Sequence, residues 1–246
     1  MGSENNSVNG NTKGMTETPK GGVGQPKVRN VMVSAPSYDG RVGVWHVAAL
    51  SECIKIGLAN GINIIPIYMS FDALVQRARN DIFQLAYDMG VDDLFFIDTD
   101  VDWDPQDFFR MLNHDVSIVA GPIVKKTDAA ETYSVKILGG SHKVLENGLM
   151  EVDGVATGFM RIRRDAIVKI WDASEEYREP HKKDPIRMVF DVKVVDGQLW
   201  SEDIVFCDNY IRLGGKIYID PKVNCRHSGE KRWFGNFHEW IKRLKT

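Results

Sequence analysis

An α/β fold built on an open, mostly parallel sheet is what the sequence predicts, and three observations predict it. Apolar, β-branched runs alternate with segments of helical periodicity from residue 28 to residue 122, in the order β-α-β-α-β-α-β. One of those runs, DDLFFID, is continuously apolar at its centre, the pattern of a strand covered on both faces. The chain has 246 residues, enough for one large domain or two small ones. Because the later strands read as completing the same sheet, a single domain over residues 28–246 is expected.

Residues 1–27 contain six glycines and no aromatic, Ile or Leu residue. They hold too little apolar surface to offset their ordering entropy, so a disordered tail is expected. VRNVMVSAP opens the ordered chain as a strand that stops at Pro36. Val44 to Asn60 has helical spacing, with Gly61 as its stop. INIIPIYM is the second strand, Asp72 to Met89 the second helix, and Gly90 its C-terminal cap. After DDLFFID, Asp104 suits an N-cap, Pro105 the first helical position and Asp107 the first turn of a third helix. SIVAGP is the next strand. From Thr132 the character changes: YSVKIL, LMEVDGVAT and FMRIRR read as strands separated by glycine. Helices near 165–174 and 203–213 and the strand KIYID at 216–220 follow. This half reads as a mixed α+β extension of the same sheet.

Hydrophobic residues make up 43% and charged residues 26%, a soluble globular mixture, and the net charge is −3. That balance excludes a whole-chain electrostatic grip on nucleic acid, though not a local basic patch. Cys53, Cys207 and Cys225 are far apart with no CxxC, which predicts free thiols in a reducing compartment rather than disulfides or a zinc ribbon. No apolar run reaches about 18 residues, so no membrane span is expected. The N-terminus has no apolar signal core. A cytoplasmic protein is the expectation.

The most informative segment is LFFIDTDVDWDP, Leu94 to Pro105. Residues i and i+2 of an extended chain share a face, so Asp98 and Asp100 point together at the strand's carboxyl end, where ligands of open α/β sheets bind. Two such carboxylates repel unless a hard cation lies beside them, and Mg²⁺ or Mn²⁺ completed by substrate phosphates suits the pattern. Asp102 and Asp104 read as acids that cap the next helix and solvate its loop. An EF-hand loop from Asp98 fails, because Trp103 holds its glycine position and Phe109 its final glutamate position. A phosphatase of the haloacid-dehalogenase type wants Thr or Val where Asp102 stands.

Taken in order, VSAPSYDGRV, ALVQRARND, FFIDTDVDWDP, AGPIVKK, GVATGFMRIRRD, SEDIVFCDNYIRLGGKIYIDP and CRHSGE resemble the motifs of GT-A glycosyltransferases. The likeness is strongest to family-2-like enzymes of the kind found in phage genomes, and it covers about residues 30–235. It implies the GT-A (nucleotide-diphospho-sugar transferase) fold, a nucleotide-sugar donor (a UDP-sugar), Mn²⁺ or Mg²⁺, a hydroxyl acceptor and an inverting transfer. A viral enzyme of this kind would work in the host cytoplasm.

Residue by residue, the resemblance places Pro36, Tyr38 and Asp39 against the nucleotide base, where a Tyr stacks and an Asp accepts an N–H. Arg77, with Asn80 three residues on, is the expected base or phosphate contact, in preference to Arg79. Asp98 and the neighbouring Thr99 meet the ribose or a metal-bound water. Asp100 ligates the metal, with Asp98 and the late His227 completing the set. Gly158, in a stretch of small residues, lets the backbone approach the sugar. Asp203 is the general base, Glu202 binds donor sugar or acceptor, and Lys231 lies near the diphosphate. His46 and the remaining histidines read as structural.

The C-terminal segment interleaves Lys222, Arg226, Lys231, Arg232, Lys242, Arg243 and Lys245 with Trp233, Phe234, Phe237 and Trp240. A basic, aromatic end on an acidic chain suits a polyanionic acceptor, and a hydroxymethylated base in phage DNA is the acceptor it suggests. A glycan-directed transferase, a metal-dependent phosphohydrolase using the same aspartates, and a non-catalytic nucleotide-sugar-binding protein are the competing readings.

Overall fold

A computed structural model describes residues 28–128, 130–140, 142–180 and 182–244. The expected tail, 1–27, lies outside the described residues. The first half runs β1 (Arg29–Ser37), α1 (Val44–Ala59), β2 (Ile62–Ser70), α2 (Val75–Asp88), β3 (Asp93–Ile97), β4 (Val101–Asp102), α3 (Pro105–Asn113) and β5 (Ile118–Ala120). Then come β6 (Val135–Ile137), β7 (Met150–Val155), β8 (Phe159–Arg163), α4 (Arg164–Ala173), β9 (Glu176–Tyr177) and β10 (Ile186–Arg187). The chain closes with β11 (Lys193–Val195), β12 (Gln198–Trp200), α5 (Glu202–Arg212), β13 (Ile217–Ile219), β14 (Arg226–Ser228), β15 (Arg232–Trp233) and α6 (Phe237–Arg243).

Eight strands form the main sheet in the order β2-β1-β3-β8-β5-β13-β7-β6. β1 pairs parallel with both β2 and β3, and β13 pairs parallel with β5. β8 runs antiparallel between β3 and β5, and β7 runs antiparallel between β13 and β6. Strands of the second half therefore complete the sheet that the first half begins, as the sequence predicts. Alternate residues of β3 feed two cores. Phe95 and Ile97 pack on the α1 and α3 side with Leu50, Cys53 and Phe108. Leu94 and Phe96 pack on the α2 and α4 side with Ile82, Phe83 and Ile167. All three cysteines are buried and free. Among the described residues no helix is long and apolar enough to cross a membrane.

A second, three-stranded sheet, β15-β14-β4, stands at the carboxyl end of β3. Its register sets Arg226 against Asp102 and His227 against Val101. Asp102 holds it together and does not act as a solvated loop acid. Its carboxylate is 3% exposed and receives Arg226 Nε at 2.5 Å and Arg232 Nη2 at 2.9 and 3.0 Å. A buried carboxylate needs such partners to offset its desolvation. Asp104 does cap α3, accepting from the Gln106 amide at 2.9 Å.

Candidate active site

The carboxyl ends of β1 and β3, the start of α2 and β14 enclose a cleft of about 280 Å³ that includes Pro36, Tyr38, Arg79, Asp98, Thr99, Asp100 and His227. The turn that presents the two acids is held from beneath by His46 of α1. Its Nδ1 lies 3.1 Å from the Asp98 carbonyl and 3.0 Å from that of Val101, and its Nε2 lies 2.6 Å from the Tyr68 hydroxyl. Carbonyls only accept, so Nδ1 carries the proton and Nε2 accepts from Tyr68. Burial lowers the His46 pKa, an effect its carbonyl partners oppose, and the ring is neutral. The Gly43 amide adds a bond to the Thr99 carbonyl at 2.8 Å. A Cβ at Gly158 would stand 2.5 Å from Asp98 Oδ2. Gly158 thus makes room for the Asp98 carboxylate.

Asp100 meets two groups on its two oxygens. Lys126 Nζ donates to Oδ2, and His227 Nε2 lies 3.4 Å from Oδ1. Burial pushes this carboxyl up, but hydrogen bonds from His227 and Lys126 outweigh it and hold the pKa at about 2. His227 Nδ1 lies 3.0 Å from the Val124 carbonyl and must donate to it. Nε2 faces the carboxylate; with a proton it donates to Asp100, and without one it offers its lone pair to a cation in the same place. Two lone-pair donors so placed fit a divalent cation. Among the described residues, no group of three or more His, Cys, Asp or Glu side chains converges to hold a metal. Of the expected trio, Asp100 and His227 face each other, a pair that would leave the remaining ligand positions to substrate oxygens and water. Asp98 turns instead to Arg79, which reaches its Oδ1 at 3.1 Å.

Arg79 is the largest departure from the sequence reading. It is 4% exposed, joins Asp98 to Glu202 Oε1 at 3.4 Å, and stacks its guanidinium 5.2 Å from the Phe96 ring. Its Nη1 has no hydrogen-bond partner among the described residues. Arg77 points elsewhere and pairs with both oxygens of Asp72 at 2.8 and 2.7 Å. Asn80 is buried, and its amide bonds the backbone of Phe190, at 3.0 Å to the carbonyl and 2.7 Å from the amide. The register of α2 carried the signal. Arg79 lies three, four and seven residues before the buried Ile82, Phe83 and Ala86, on their stripe, and Arg77 does not.

At the start of α5, burial raises the Glu202 pKa, against the pull of Arg79 and with the push of Asp203. Asp203 Oδ1 accepts from the Ser201 hydroxyl and, at 2.8 Å, from the Ile204 amide. Asp39 lies in an exposed turn and accepts from the Arg41 amide at 3.0 Å. Lys231 is paired with Asp128 and lies over the Trp233 ring, so Lys126 and not Lys231 is the ammonium beside Asp100. Most of the described C-terminal cations are paired with carboxylates. Arg232 pairs with Asp102, Lys242 with Glu239 and Arg243 with Glu131. Phe237 and Ile241 of α6 are buried.

No protein-family model matches the sequence, and no curated protein matches it either. Solved structures do. A197 from STIV is 19% identical, with a TM-score of 0.50 over 82% of this chain and 86% of that one. A mutant Drosophila β-1,4-galactosyltransferase 7, in complex with manganese, UDP-Gal and xylobiose, is 15% identical, with a TM-score of 0.46 over 88% and 74%. A glycosyltransferase involved in glycosylation of the major capsid of PBCV-1 is 13% identical, with a TM-score of 0.33 over 57% and 62%. The likeness to A197 is one of fold.

Proposed function

We propose that the protein is a metal-dependent glycosyltransferase of the GT-A type, with a UDP-sugar as donor and a hydroxyl group as acceptor. One observation carries this reading: a carboxylate and an imidazole nitrogen face each other at 3.4 Å in a cleft at the carboxyl ends of the strands. The order of motifs along the chain supports it. Asp100 and His227 would hold the cation, and the imidazole favours Mn²⁺ over Mg²⁺. Such a cation neutralises charge on a departing diphosphate.

The chain's own residues account for the rest. Tyr38 stands at the mouth of the cleft, 74% exposed, and offers its ring to the base. Arg79, buried and with an unpartnered nitrogen, fixes Asp98 for the ribose and ties it to α5. Asp203 has Oδ1 anchored by its own helix start, so Oδ2 is the oxygen that accepts the acceptor's proton. The placement of a carboxylate base on α5, a different element from the cation site at β3, supports reading the transfer as inverting. Since Lys231, Arg232, Lys242 and Arg243 each have a carboxylate partner, the acceptor we favour is a glycan or small-molecule hydroxyl, ahead of modified DNA. Incubation with a panel of nucleotide sugars and Mn²⁺ tests the reading. Release of UDP from one donor, absent without Mn²⁺, is expected. Release of inorganic phosphate from phosphomonoesters, with every nucleotide sugar intact, would make it a phosphohydrolase. Labelled sugar entering hydroxymethylcytosine DNA would restore the DNA acceptor.

A further inference from the structure

We infer that Lys126 is an internal counter-cation: a divalent ion displaces it from Asp100, and the displaced ammonium then pairs with the donor's diphosphate. The inference rests on the reading of Asp100 and His227 as the cation site, and it concerns a residue outside that pair.

Lys126 and His227 share one carboxylate, the ammonium on Oδ2 and the imidazole toward Oδ1. The two are also set by one segment. Val124 bridges to Tyr133, and its carbonyl fixes the His227 ring; two residues later comes Lys126. Lys125 closes the strap by donating to the Thr132 carbonyl at 2.9 Å, and Asp128 ties it to Lys231. The lysine stem lies over Gly229, where a Cβ would come 3.5 Å from its Cδ. The ammonium is thus delivered to Asp100 by a tethered backbone.

An ammonium and a divalent cation cannot both stay in contact with a single carboxylate without repelling each other. Lysine, a compact charge on a flexible four-carbon stem, is the partner that can move. Arg79 cannot take its place, because it is buried between Asp98 and Glu202. The nearest new anion would be the diphosphate brought to the same carboxylate. Before the donor binds, Lys126 offsets the charge of Asp100 and competes with metal; once it binds, Lys126 adds a charge-assisted hydrogen bond to the leaving group.

The two halves have opposite signs, and a Mn²⁺ titration of the full-length protein read by electron paramagnetic resonance separates them. Without nucleotide, Lys126→Met is expected to bind Mn²⁺ about five-fold more tightly than the parent, the scale of a partly exposed ion pair. With UDP present, the same variant is expected to bind the Mn²⁺–UDP complex about ten-fold more weakly. Lys126→Arg, which keeps the charge, should track the parent in both. Equal Mn²⁺ affinity in parent and Lys126→Met, or Lys126→Arg behaving like the methionine variant, overturns the inference and leaves the cation site standing. A parent that binds neither Mn²⁺ nor Mn²⁺–UDP overturns the site and the inference together.

Discussion

β3 carries aspartates at both ends, and the two ends treat them differently. At its start, Asp93 is fully buried and receives Arg29 through two bonds, at 2.6 and 2.9 Å, with Arg161 Nη1 at 3.6 Å. Asp92 beside it accepts from the Asn30 amide at 2.8 Å. A cleft of about 540 Å³ opens there, larger than the one at the other end, but arginines and aspartates alternate around it in pairs, such as Arg163 with Asp115. At the strand's end, Asp98 and Asp100 stay partly exposed and share movable or incomplete partners. Size does not mark the site. A carboxylate saturated by fixed guanidinium groups is a structural clamp, whereas one held by a lysine and an imidazole is available to a ligand.

The largest effect expected from breaking this contrast is on stability. Asp93→Ala leaves Arg161, which is 0% exposed, and Arg29 without their carboxylate. Removing one partner of a buried pair costs about 3–5 kcal/mol, measurable by denaturant unfolding. At the active end, Asp203→Asn should leave the fold and donor binding intact while transfer falls about 10²–10⁴-fold, the scale of general-base catalysis. Parallel loss of donor binding in the same assay would make Asp203 a positioning group.

The contrast was half legible in the sequence. Periodicity marked the strands and helices because each of those signals spans only a few neighbouring residues, and β1, α1, β2, α2, β3 and α3 stand within a few residues of their expected places. The aspartates at the end of β3 were visible for the same reason. Their partners were not, since Asp102 meets Arg226 and Arg232 across 124 and 130 residues. Nor does spacing show that β8 inserts antiparallel beside β3 and delivers Gly158 to Asp98. His46 read as structural, and what it structures is the turn that carries Asp98 and Asp100.

That role has a pH signature. The folded His46 pKa lies below its ordinary 6.5, so the unfolded chain takes up the proton first. Its contribution is complete above about pH 6.5 and declines as pH falls toward the lowered folded value. Thermal melts from pH 7.5 to 5 should show this decline in the parent and a flatter profile in His46→Asn. The smallest effect is expected at the β1 turn. Gly40 has φ +72°, and a Cβ there would come 3.0 Å from the Phe71 ring. Gly40→Ala should cost about 1 kcal/mol. Gly61→Ala, at φ +70° with nothing within 4 Å, is the control that separates backbone strain from the ring contact.

Calorimetric titration of UDP into the protein, with and without Mn²⁺, tests the central claim most directly when parent and Asp100→Ala are compared. The parent should bind UDP only with Mn²⁺, and Asp100→Ala should not bind it under either condition while melting cooperatively near the parent's temperature. Mn²⁺-dependent UDP binding of equal strength in the two proteins would contradict the account.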